Sequence, residues 1–153
     1  MRRLTRRQLL ERIDGERIRQ AIEDVERRST GEVRVSISTF FWGSVRRNAE
    51  LAFTRLGMAA TKERNAVLFF LVPSRRRLVV MGDTAIHEQV GGEFWGKLSD
   101  DMLQRMRAGE FTEGLVLGIE RAGEVLARHF PRLVPGPNLL PDEIDLGPRH
   151  PPA

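Results

Sequence analysis

The chain contains no cysteine. It therefore has no disulfide, no thiolate zinc site and no cysteine nucleophile. Lysine is scarce, with Lys62 and Lys97 the only two, so arginine carries almost all the positive charge. No apolar run approaches the roughly 20 residues of a membrane span. The longest, Ala66 to Pro73, has the length of a strand. The opening MRRLTRRQLLERIDGERIRQ starts basic, as a secretory signal does, but charges resume before an apolar stretch develops. The expectation is a soluble cytoplasmic chain without membrane insertion. His87, His129 and His150 show no ligand spacing on any one element, which argues against zinc. The P-loop, the Gly-x-Gly-x-x-Gly fingerprint and the nucleophile elbow are all missing.

What is present fits one domain with a true core, at 153 residues. Net charge is +4, with acids interleaved among the arginines almost throughout. That pattern describes a mixed, solvated surface. The unbalanced cluster Arg2, Arg3, Arg6 and Arg7 reads as a solvated terminus in preference to a phosphate contact, so no nucleic-acid partner is expected.

Periodicity gives the element order. Leu9, Leu10 and Ile13 suggest a short helix within Leu4 to Ile13, and Asp14 caps a second one with Ile18, Ala21, Ile22 and Val25 on one stripe. In TGEVRVSIST, Val33, Val35 and Ile37 alternate with Arg34, Ser36 and Ser38, a strand with one buried and one more polar face. Ser44 caps a helix carrying Ala49, Ala52, Phe53 and Leu56, ended by Gly57. Ala66 to Val72 is apolar on both faces and belongs in the middle of a covered sheet. After the turn at Pro73 and Ser74, Arg77 to Met81 returns as an antiparallel strand. A helical turn at Ala85 to Gln89 precedes a helix from about Gly92 to Arg107 with Trp95, Leu98, Met102 and Met106 on its stripe. Thr112 is read as the cap of a last helix bearing Leu115, Ile119, Ala122 and Leu126. Residues 1–14 form a basic helical extension, 15–131 the domain and 132–153 a proline-rich tail docked through Leu139, Leu140 and Ile144. The order helix, strand, helix, strand, strand, helix, helix predicts an α/β sandwich around a small mixed sheet.

The segments TGEVRVSI, ERNAVLFFL, RRRLVVMGD, GEFW and AGEFTEGLVLGIERAGEVLARHFP, in this order and spacing, resemble the TPM domain family over about Gly15 to Pro131. The ARHFP ending resembles a small prokaryotic subgroup. The resemblance implies a Rossmann-like αβα sandwich. It also implies that some relatives are weak acid phosphatases, some bind calcium, several maintain membrane protein complexes and others carry a membrane anchor. The family motif Asp-Asn-Gly, whose acid helps bind a divalent ion, reads Arg64-Asn65-Ala66 here. A guanidinium amid calcium ligands is repulsive. The later pattern Gly-x-Gly followed by Glu reads Met81-Gly82-Asp83-Thr84-Ala85.

Two groups of residues are site candidates. Glu63, Asn65, Asp83 and Glu88 gather oxygen donors at one edge of the sheet and could take calcium or magnesium. Their preferred reading is simpler: Glu63 and Glu88 are solvated, while Asn65 and Asp83 satisfy local backbone groups. His87 beside Glu88 is read as exposed, and His129 as a dipole-compatible cap at a helix C-terminus. At the opposite edge, Phe40, Phe41, Trp42, Arg46, Arg75 and Arg76 form a candidate surface for a partner or anionic ligand. The preferred function is a non-catalytic binding or assembly module without a cofactor, its partner a protein such as a membrane-associated relative. The alternative is a metal-dependent phosphatase in which Asp83 and Glu88 hold the ion.

Overall fold

A computed structural model describes residues 4–39, 43–134 and 142–147. The helices are α1 (Arg6–Glu11), α2 (Gly15–Arg28), α3 (Val45–Arg55), α4 (Thr84–Val90), α5 (Gly92–Arg107) and α6 (Phe111–His129). The strands are β1 (Val33–Ile37), β2 (Val67–Val72) and β3 (Arg77–Gly82). The sheet order is β1-β2-β3, with β1 parallel and β3 antiparallel to β2. The predicted mixed α/β sandwich is thus the observed fold. Each signal behind it is physical. A helical connection imposes the parallel crossover, and a short turn imposes the antiparallel pair.

The sheet separates two apolar layers. On one side, Val33, Val35, Ile37, Phe69 and Val80 pack against α2, α5 and α6. On the other, Leu68, Phe70 and Val72 meet Ala49, Ala52 and Phe53 of α3 and Met58. β2 is buried on both faces, as its unbroken apolar run requires. Full burial of side chains such as Phe69 and Phe70 stabilises by about 1.5–3 kcal/mol each. The first helix joins the same core through Leu4 and Leu9, with Thr5 and Gln8 closing a capping box.

Caps fall largely where the residues demand them. Asp14 accepts from Glu16 and Arg17, and Ser44 accepts from the Arg47 amide. Thr112 departs from its expected role. α6 begins one residue earlier, and the Thr112 hydroxyl accepts from the Asp14 amide at 3.0 Å instead. A hydroxyl near a helix start serves whichever amide packs against it, and here that amide belongs to another element. The polar face of β1 also differs from a solvated one: all five residues of the strand are buried. What covers Arg34 and Ser36 is the carboxyl-terminal tail. Within it Ile144 packs against the core, whereas Leu139 and Leu140 lie outside the described residues.

Candidate functional site

The edge where β2 begins and β3 ends is built by three backbone bonds. The Asp83 amide donates to the Ala66 carbonyl at 2.9 Å, the Ala85 amide to the Arg64 carbonyl at 3.0 Å, and the Arg64 amide to the Thr61 carbonyl at 3.3 Å. These bonds hold Arg64 in the left-handed region, with φ at 52°. Its guanidinium then reaches Asp83 as a fork, Nε to Oδ2 at 2.6 Å and Nη2 to Oδ1 at 3.0 Å. Asp83 is also the N-cap of α4, Oδ1 accepting from the Thr84 amide at 2.7 Å. Both carboxylate oxygens are therefore engaged, and the Asp83 side chain is only 6% exposed. The hydrogen bonds and charge of Asp83 hold the Arg64 guanidinium above its usual value.

The other expected members do not join. Asn65 is buried and donates to the Thr30 hydroxyl at 3.0 Å. Glu63 and Glu88 are exposed. Glu63 lines a small cleft of about 290 Å³ with Asn65, Thr30 and Glu32. Among the described residues no three His, Asp or Glu are arranged to hold a metal ion. The residues at this edge do not fit the divalent cation that the family resemblance implies, because the Arg64 guanidinium already takes both oxygens of the Asp83 carboxylate. His87 lies on α4, and its Nδ1 accepts from Trp95 Nε1–H at 3.1 Å. His129 sits in the last turn of α6 as expected.

At the opposite end, Arg75 Nη1 donates to the Gly43 carbonyl at 2.6 Å, tying the β2–β3 turn to the loop that follows residue 42. Phe40, Phe41 and Trp42 lie outside the described residues. Arg76 adopts φ 51° at the end of the turn Pro73–Arg75 and is exposed. Arg46 is exposed on the first turn of α3 and lines a cleft of about 400 Å³ along β3, with Arg77, His87, Trp95 and Ser99.

A third site was missed from sequence. The tail runs parallel to β1: the Asp145 amide donates to the Val35 carbonyl and the Ile37 amide to the Asp145 carbonyl, both at 2.8 Å. The Asp145 carboxylate accepts from Ser36 Oγ at 2.9 Å and from Arg55 Nη2 at 2.7 Å and Nη1 at 3.3 Å. Burial would raise the Asp145 pKa, but the Arg55 and Ser36 hydrogen bonds outweigh it and hold the carboxyl below its usual value. Arg34 Nη2 donates to the Glu143 carbonyl at 3.3 Å, and Arg6 to the Leu146 carbonyl. Upstream, Asp142 is buried beside Glu26 and Glu32. Burial, and then hydrogen bonds with Asp142 and Glu32, push Glu26 up to about 11. The signal available in sequence was the polar stripe Arg34-x-Ser36 on a strand paired with an acidic tail, DEID.

These features define a small three-layer α/β domain with a polar sheet edge closed by an internal ion pair. The chain belongs to the TPM domain family, whose family model matches residues 5–125. It is similar to the BA42 protein of the psychrophilic bacterium Bizionia argentinensis, with 33% identity and a TM-score of 0.79 over 88% of this chain and 95% of that one. The N-terminal domain of a protein from P. gingivalis shares the fold, with a TM-score of 0.62 at 17% identity over 85% of this chain and 98% of that one. No curated protein matches the chain. Among the described residues no helix is long and apolar enough to cross a membrane.

Proposed function

We propose that this chain is a non-catalytic binding and assembly module of the TPM domain family. The observation that carries the reading is the Arg64–Asp83 pair, 2.6 and 3.0 Å. A guanidinium fixed on both oxygens leaves no hard-oxygen shell for an ion and no metal-activated water for phosphate ester hydrolysis. The partner surface we propose is the end of the sheet that carries Arg46, Arg75 and Arg76, together with the residues Phe40, Phe41 and Trp42 that precede Gly43 in sequence. The Arg75–Gly43 bond supports it, because it ties the turn to the segment that leads into α3. Interface cores favour aromatics and arginine. The partner we infer is a protein, such as a membrane-associated relative of the same family.

Heat denaturation in calcium or magnesium tests the reading. A ligand that binds only the native form raises Tm once its concentration exceeds Kd. The expected result is no shift at millimolar metal and no turnover of a generic phosphate ester. A shift abolished by Asp83→Asn, accompanied by ester hydrolysis, would overturn the proposal in favour of the phosphatase. The surface is tested separately by Arg75→Glu with Arg76→Glu, which should abolish binding to an immobilised membrane-associated relative while leaving Tm within a few degrees.

A further inference from the structure

The two outer edges of the sheet differ. β1 is covered by the tail, whose Asp145 bridges to Ser36. β3 is the other edge, and among the described residues no segment pairs with its outer side. Which of its backbone groups face outward follows from β2. The Val67 amide donates to the Glu32 carbonyl and the Leu71 carbonyl accepts from the Ser38 amide, so Val67 and Leu71 bond toward β1. Ala66 bonds the other way, its carbonyl accepting from the Asp83 amide at 2.9 Å. Bonded and non-bonded pairs alternate along an antiparallel ladder. Leu68, Phe70 and Val72 therefore bond to Met81, Val79 and Arg77, while Leu78, Val80 and Gly82 turn their amides and carbonyls outward. None of these three finds a backbone partner among the described residues. The Leu78 and Val80 side chains are buried in the core, which holds the row of donors and acceptors in place. Proteins commonly blunt such an edge with a proline, a bulge or a covering segment. From Arg77 to Gly82 there is no proline, and the register is unbroken.

The edge opens on the cleft of about 400 Å³, whose two walls differ in chemistry. α3 packs on the face of Val79 and Met81, and Arg77 shares that face by alternation, so Arg46 and Arg77 belong to one wall. α5 packs on the face of Leu78 and Val80, and its Trp95, Gly96 and Ser99 form the other. Arg46 and Arg77 are exposed, and no acidic residue lines the cleft among the described residues. A Cβ on Gly96 would meet nothing within 4 Å, so the wall leaves room above the edge. A twofold pairing of two copies through this edge would set one cationic cleft against another. An acidic segment has the complementary charge.

We propose that the open edge of β3 takes an extended segment of a partner protein as an added strand. That segment carries acidic side chains against Arg46 and Arg77, and small β-branched ones against Trp95 and Gly96. Main-chain bonds to Leu78, Val80 and Gly82 give affinity, and the two walls select the sequence. This deepens the binding-module reading and rests on it for a protein as the occupant. Metal-induced Tm shifts and ester turnover, which decide that reading, are independent of the exchange measurements below.

The test uses the full chain, amide hydrogen exchange read by NMR, and two octapeptides, one alternating threonine with glutamate and one alternating threonine with lysine. In the free chain the Leu78, Val80 and Gly82 amides should exchange at least a hundredfold faster than those of Val79 and Met81. The glutamate peptide at millimolar concentration should slow the three outer amides at least twofold, and the lysine peptide should not. Gly96→Leu fills the cleft from a helix position where glycine is unfavourable, so this variant should melt at or above wild type. It should also lose the response to the peptide. Arg46→Glu with Arg77→Glu should transfer the response to the lysine peptide. Slow exchange of the outer amides at every protein concentration would mean that the edge is already paired within the chain, and overturns the site. Protection that grows with protein concentration would make a second copy the occupant and overturn the partner assignment. No slowing by either peptide, or slowing that survives Gly96→Leu, also overturns the site. An equal response to both peptides overturns the acidic requirement.

Discussion

A single carboxyl, Glu26, sits where three acids meet and water is largely excluded. With its pKa pushed up to about 11, the folded chain binds a proton there that the unfolded chain releases near pH 4. The native state then holds more protons at this group than the unfolded state, so the stability that Glu26 contributes is complete below the ordinary carboxylate range and falls as pH rises toward 11. Glu26→Gln removes this dependence. We expect the variant to match wild type near pH 4.5 and to exceed it at pH 8, read from urea unfolding at both values. Arg64 offers the complementary experiment. Arg64→Asp sets a second carboxylate beside Asp83, so the variant should melt below wild type in chelator and recover in millimolar calcium. A chain indifferent to calcium after this change would show that the guanidinium was not what excluded the ion.

Among elements, β3 and α5 depend on a glycine at their crossing. A Cβ on Gly82 would lie 2.2 Å from the Trp95 ring, which is itself anchored to His87. Gly82→Ala should therefore displace the indole, shift Trp95 emission and cost about 1–3 kcal/mol, checked by fluorescence and urea unfolding. The strands and helices were legible because their reasons are local. Ile18, Ile22 and Val25 fall on one stripe of α2, and Ala66 to Val72 carries no polar residue to face water. Asp83 was legible as a residue that satisfies a local backbone group for the same reason, although the group proved to be the first amide of a helix. Thr112 misled because its local signal is that of a cap, while the amide it satisfies is 98 residues away in sequence. The Arg64–Asp83 fork was half visible. The missing acid was plain in the sequence, but the left-handed backbone that aims the guanidinium comes from cross-strand bonds.

In the whole molecule, the least legible feature is the tail on β1, since Ser36 and Asp145 are 109 residues apart and no periodicity links them. A proline-rich composition spoke against regular structure, yet one residue with an extended backbone and a carboxylate suffices to pair with an edge. Its pH response has the opposite sign to that of Glu26. The Asp145 carboxyl is held below its usual value, so its contribution to docking is complete above the ordinary aspartate range and is lost as pH falls through the lowered value. Acidification below about pH 4 should free the tail before the core unfolds, seen as shifts of the Ile37 and Ser36 resonances while those of β2 stay in place. The Arg64–Asp83 bond has a different reach. A counterion that is part of the polypeptide cannot be stripped by a chelator or exchanged for a competing metal. If the assembly-module reading holds, that corner of the fold answers to a change in the genetic message and not to swings in divalent ions.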